Sequence, residues 1–187
     1  MGIRLDEQDK TRNFEALLLP HLDAAYNLAR WLTRNDQNAE DLVQVAYLRA
    51  FKFFDGFRGT DARAWLLTIL RNAYFTSLRD NRHEDADVSF DDDLHGQGRE
   101  AWDTSSYDIG NSPENALAAH DTRRLVNQAL ESLPQTFREV IVLKEISDLS
   151  YKEIAEITDI PLGTVMSRLA RGRKMLTDYL TKNAGGG

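Results

Sequence analysis

Apolar residues recur every three to four positions through most of the chain, and no stretch shows the two-residue alternation of a strand. Phe14, Leu17, Leu18, Leu22, Ala25, Leu28, Ala29 and Leu32 carry this period over residues 12–33. Pro20 interrupts it, because proline lacks the amide hydrogen a helix interior needs, so a kink or break is expected there. Residues 1–11 are polar and expected to fray. Asn35-Asp36-Gln37-Asn38 reads as a turn, with Asn38 capping a helix over residues 39–54 and Asp41 in its first turn. Leu42, Val45, Ala46 and Phe53 would form one face of that helix. Tyr47 and Phe51 would lie opposite, on a face either covered by another helix or used for docking. A loop with two glycines, residues 55–60, precedes a helix over 61–82. Its predicted buried side is Leu66, Ile69, Ala73 and Ser77. Thr68, Asn72, Phe75, Arg79 and Arg82 mark a different stripe, either solvated or suited to stacking on bases and pairing with phosphates.

The period disappears over residues 83–112 and returns at Ser112-Pro113-Glu114, a cap, a helix-opening proline and a first-turn acid. One helix is predicted to end at Leu133-Pro134 and another, marked by Phe137, Val140, Ile141 and Lys144, to close near Ser147. Ser150 followed by Glu153 is a capping box, so a short helix begins there. Asp159-Ile160-Pro161 breaks it, and Pro161 suits the start of the next. That last helix would bury Leu162, Val165, Leu169, Gly172 and Leu176, and present Gly163, Thr164, Ser167, Arg171 and Lys174 outward, with Arg168 beside them. It is expected to fade over residues 178–181. A short helix, a tight turn and a second helix with a small-polar, basic outer face form the helix-turn-helix pattern, which places its second helix in the major groove of DNA. The expected class is all-α: two small helical bundles joined by a flexible acidic linker, the C-terminal one a helix-turn-helix. The divisions fall at residues 1–82, 83–112 and 113–187.

The formal net charge of −7 is unusual for a DNA binder, and its distribution accounts for it. Residues 83–117 hold ten acids against one arginine, including Asp91-Asp92-Asp93, while the segments on either side are each one charge positive. Local potential, not the chain total, governs phosphate binding. With no cysteine in its 187 residues, the chain has neither disulfides nor thiolate metal sites. No apolar run resembles a signal peptide or is long enough to span a bilayer, so a cytoplasmic protein without membrane insertion is expected. The four histidines are scattered, no phosphate-cradling glycine loop is present, and the acidic tract lacks calcium-loop spacing. Neither catalysis, a metal nor a cofactor is expected.

Two blocks of sequence together resemble the extracytoplasmic function (ECF) sigma factors of bacterial RNA polymerase. The first is Ala39-Glu40-Asp41-Leu42-Val43-Gln44-Val45-Ala46-Tyr47-Leu48-Arg49-Ala50-Phe51, with Phe57-Arg58-Gly59 and Ala64-Trp65-Leu66-Leu67-Thr68-Ile69-Leu70-Arg71-Asn72. The second is Leu133-Pro134-Gln135-Thr136-Phe137-Arg138-Glu139-Val140, with 149–155 and 163–168. The resemblance implies that Asp41, Leu42, Gln44 and Phe51 dock on the clamp coiled coil of the largest subunit of the polymerase core. It implies that Gly59, Thr60 and Asp61 capture a flipped base of the promoter −10 element, whose DNA Arg71, Asn72 and Arg79 would face. Thr164, Ser167, Arg168 and Arg171 would read the −35 element, with Lys174 on phosphate. The linker would thread the polymerase cleft, and a separate anti-sigma factor would hold the protein inactive. Two other readings compete: a helix-turn-helix activator that never joins polymerase, against which the Asp-Leu-Val-Gln helix speaks, and a decoy for an anti-sigma factor, against which the basic last helix speaks.

Overall fold

A computed structural model describes residues 3–84 and 113–184, with side chains over 7–80 and 122–183. Eight α-helices and no strand are found among the described residues. The acidic tract, Trp102, Tyr107 and the rest of the expected linker over 85–112 lie outside them.

The first block is α1 (Ile3–Leu18), α2 (Leu22–Thr33), α3 (Asp36–Phe53) and α4 (Ala62–Glu84). Pro20 sits in the tight turn Leu19–His21 and separates α1 from α2, where the sequence places a break. The expectation that residues 1–11 fray is corrected, since α1 begins at Ile3. Phe14 and Leu18 bury their side chains and anchor the helix, and extending a nucleated helix costs little. Lys10 is also fixed, to Asp55 at 2.6 Å and over the Phe51 ring at 5.0 Å.

The start of α3 differs from the sequence reading as well. Arg34 ends α2 in the left-handed region and Asn35 is extended, so the connection is complete before Asp36. Asn35, not Asn38, is the cap: its side chain accepts from the Asn38 amide at 2.9 Å. α1 covers the aromatic face of α3. Phe14 meets Tyr47, Phe51 and Phe54 edge-on at centroid distances of 6.2, 5.1 and 5.4 Å. The Tyr47 hydroxyl donates to the Leu18 carbonyl at 2.8 Å, and burial pushes its pKa up to about 12. The buried side of α3 is Ala39, Leu42, Val43, Ala46 and Ala50, whereas Val45 and Phe53, grouped on one face with Leu42 and Ala46 by their spacing, are exposed.

In the second block, α5 (Pro113–Ser132) is followed by α6 (Gln135–Ile141), which closes in the wider turn Val142–Ile146. Arg138, though buried, is satisfied: its guanidinium donates to the carbonyls of Leu130, Glu131 and Leu133, at and just past the end of α5. α7 (Tyr151–Thr158) opens with both bonds of the Ser150–Glu153 capping box and ends on Asp159 in the left-handed region. α8 (Leu162–Ala184) extends past the expected fade. Its side facing the domain is Val165, Leu169 and Gly172, as the 3.6-residue period requires; Leu162, placed on that side by sequence, is half exposed.

The two blocks pack on each other. α4 runs against α7 as well as α2 and α3, and α2 also touches α6. With α2, α3 and α7 all packed against it, α4 buries Leu66, Leu67 and Leu70 fully, a wider buried surface than one face of the helix predicts.

Candidate functional site

Three helical surfaces hold the residues singled out in the sequence. On α3 one exposed stripe is formed by Asp41, Gln44, Val45, Leu48 and Lys52, most of them three or four residues apart. Leu48 is 71% exposed and Val45 40%, unusual values for aliphatic side chains on an otherwise well-packed helix. Asp41 and Gln44 therefore face solvent. Leu42 does not: only 8% of it is exposed, and it belongs to the core beneath the stripe. Phe51 is half-buried against Phe14. Both support the helix from inside. Val45 and Leu48 were missed, although the 41, 45, 48, 52 spacing was visible in the sequence.

The second surface is the loop before α4 and the outer side of that helix. Gly59 and Thr60 are exposed. A Cβ on Gly59 would stand 3.0 Å from the Phe57 ring, which in turn lies tilted against Trp65 at 4.7 Å, so an aromatic base supports the loop. Asp61 caps α4, accepting from the Ala64 amide at 2.9 Å. Asn72 and Arg79 are exposed with no side-chain partner among the described residues. Arg71 is different. Its Nε donates to Oε1 of Glu139 at 2.6 Å, and its guanidinium lies over the Phe75 ring at 4.6 Å. Glu139 belongs to α6 in the other block and is almost fully buried.

The third surface is α8. Gly163, Ser167, Ala170, Arg171 and Lys174 form its exposed outer side, while Thr164 and Arg168 sit half-buried on one flank. Arg173 on the other flank is held by Glu145 at 2.7 and 2.9 Å, and that hydrogen-bonded pairing raises its pKa. Arg168, Arg171 and Lys174 have no acid partner among the described residues. Unpaired bases around small side chains leave room for a nucleic-acid backbone and base edges. The short α7, the turn at Asp159 and the docked α8 are those of a helix-turn-helix.

The arrangement defines an all-α DNA-binding protein of two helical blocks. The Sigma-70 region 2 family model matches residues 17–84 and the Sigma-70, region 4 model residues 123–176, so the two matches fall one on each block. The chain is 33% identical over 162 residues to the ECF RNA polymerase sigma-E factor of Haemophilus influenzae, covering 82% of this chain and 79% of that one. It is 32% identical to the RNA polymerase sigma-H factor of Pseudomonas aeruginosa, covering 95% and 90%. Among solved structures, the sigma factor RpoE bound to the anti-sigma factor NepR from Bartonella quintana matches with a TM-score of 0.67 and 30% identity, over 92% of this chain and 99% of that chain. The chain belongs to the Sigma-70 family, in its ECF group, and directs promoter-specific transcription initiation.

Proposed function

We propose that the chain divides this work among the three surfaces, with residues 1–82 as the core-binding and −10 unit, 83–112 as a linker and 113–187 as the −35 unit. The α3 stripe, with Asp41 and Gln44 at its polar end and Val45 and Leu48 as its apolar centre, docks on the clamp coiled coil of the polymerase core. An apolar centre with a polar rim is the ordinary make-up of a protein interface. Leu42 and Phe51 contribute by holding α3 in position. Gly59, Thr60 and Asp61 line the loop that receives a flipped base, and Asn72, Arg79 and Arg71 face the −10 DNA. Melting needs no covalent chemistry: capturing an extruded base offsets its unstacking cost of a few kcal/mol. The protein is therefore not an enzyme in this reading. Thr164, Ser167, Arg168 and Arg171 on α8 read the −35 element, with Lys174 on phosphate.

The observation that carries this reading is the coexistence of an exposed aliphatic stripe on α3 with an unpaired basic face on α8. The relative solved with an anti-sigma factor supports a separate anti-sigma partner here too. No helix among the described residues is long and apolar enough to cross a membrane, and work on chromosomal promoters places the protein in the cytoplasm. The test is initiation from a promoter library by purified polymerase core with and without this chain. Initiation at two-box promoters only in its presence is expected. Core binding without initiation at any promoter would overturn the reading in favour of a decoy, and DNA binding without core binding in favour of an activator.

A further inference from the structure

Three arginines of the first block are engaged by the second. Arg34 donates to the Glu131 carbonyl at 2.7 Å, at the C-terminal end of α5. Arg63 donates to the Ser147 carbonyl at 3.0 Å, just past the turn that closes α6, and lies 3.6 Å from the Glu153 carboxylate. Each thus meets a helix C-terminus, where unpaired carbonyls concentrate negative potential. The third, Arg71, meets a full charge: Glu139, whose side chain is only 3% exposed, takes its Nε at 2.6 Å and its Nη2 at 3.5 Å.

A carboxylate this buried is costly. A buried ion pair is often no more stabilising than apolar residues of the same volume, so net stability does not explain a glutamate at position 139. Its geometry does have another consequence. The planar guanidinium presents the same paired donors to a carboxylate as to a phosphate. Arg71 also stands one residue from Asn72 and two helical turns from Arg79, both exposed on the helix assigned to the −10 DNA.

We propose that Glu139 occupies Arg71 as an internal substitute for a DNA phosphate, so that the blocks must part before α4 can take promoter DNA. The inference rests on the assignment of α4 to the −10 element. Parting transfers Arg71 from one anion to another and exposes Glu139 to water, so the exchange is close to balanced and a partner such as polymerase core can tip it. The clamps from Arg34 and Arg63 add to closure without using the exposed face of α4.

The test uses the full chain. It has no cysteine, so Glu15→Cys and Lys182→Cys, both exposed and neither assigned to core or DNA contact, give a donor–acceptor pair for energy transfer between the blocks. Glu139→Gln keeps the shape and removes the charge. Arg34→Gly removes a clamp whose partner is the Glu131 carbonyl, not Glu139, and suits the left-handed backbone at that position, φ 56°. Both substitutions should change the transfer efficiency in the same direction and tighten binding to a labelled random-sequence DNA pool by about tenfold, the worth of one charge-assisted hydrogen bond. Altered transfer with unchanged DNA affinity would overturn the proposal, as would unchanged transfer in both variants. Initiation by the unsubstituted chain with polymerase core is scored in parallel. If that succeeds while the variants fail, the internal substitution alone is wrong; if it fails as well, the assignment of α4 falls with it.

Discussion

Gly172 and Ile141 approach so closely that a Cβ on the glycine would lie 2.9 Å from Cγ1 of the isoleucine. Ile141 is fully buried in α6 and cannot move aside, and Phe137 lies behind it at 3.6 Å. The glycine is therefore what lets α8 seat against α6. Alanine ordinarily gains about 1 kcal/mol over glycine in a helix, whereas overpacking a tight core costs about 1–3 kcal/mol. Gly172→Ala should lower the urea midpoint and Gly172→Val should lower it further. A rise for Gly172→Ala would mean the α6–α8 contact is looser than described.

The capping box of α7 ties stability to pH. Burial raises the Glu153 pKa, but Ser150, through its side chain and backbone, then Asp61 and Arg63, outweighs it and holds the value at about 2 instead of 4.5. A carboxylate depressed in this way stabilises the fold above its unfolded pKa, and that contribution is lost as pH falls from about 4.5 towards 2. Glu153→Gln should flatten the acid limb of the stability curve in that window. Ser150→Ala should cost about 0.5–2 kcal/mol at neutral pH, measured by denaturant unfolding.

Neighbouring positions on α3 should separate docking from folding. Leu42 is in the core, so Leu42→Ala should destabilise the fold by about 2–5 kcal/mol. Leu48 is 71% exposed, so Leu48→Ala should leave the melting curve within about 0.5 kcal/mol. The same change should weaken binding to polymerase core by more than about 1 kcal/mol, as for a residue at the centre of an interface. Asp41→Ala should also weaken core binding and leave −35 binding intact. Equal loss of both activities would point to misfolding.

On α8, Arg171→Ala should weaken −35 binding by about 1–3 kcal/mol if its guanidinium pairs with a base edge. The loss should be confined to sites carrying the preferred base. A uniform loss across sequences, with a shallower salt dependence, would reassign Arg171 to phosphate.

Much of this protein was decided by local rules and could be read along the chain. The Ser150–Glu153 box, the break at Asp159-Ile160-Pro161 and the face of α8 holding Val165, Leu169 and Gly172 depend on side chains within a turn or two of one another, so spacing alone reveals them. The resemblance that placed the chain among ECF sigma factors used the same short-range patterns. The helix start at Ile3 departed from the reading because a tertiary anchor, Phe14, holds α1; that at Asp36 follows from the left-handed end of α2 at Arg34 and the Asn35 cap, backbone features that apolar spacing does not reveal.

What only the tertiary structure decided is which of two faces of one helix meets a neighbour. Periodicity shows that α3 has an aromatic side and an aliphatic side but not which is covered. Packing of α1 through Phe14 hides Tyr47 and Phe51 and leaves Val45 and Leu48 in the open. Nor could spacing bring Arg71 to Glu139, 68 residues apart. That contact is set by how the two blocks close on each other, through long-range burial that leaves no local period in the sequence.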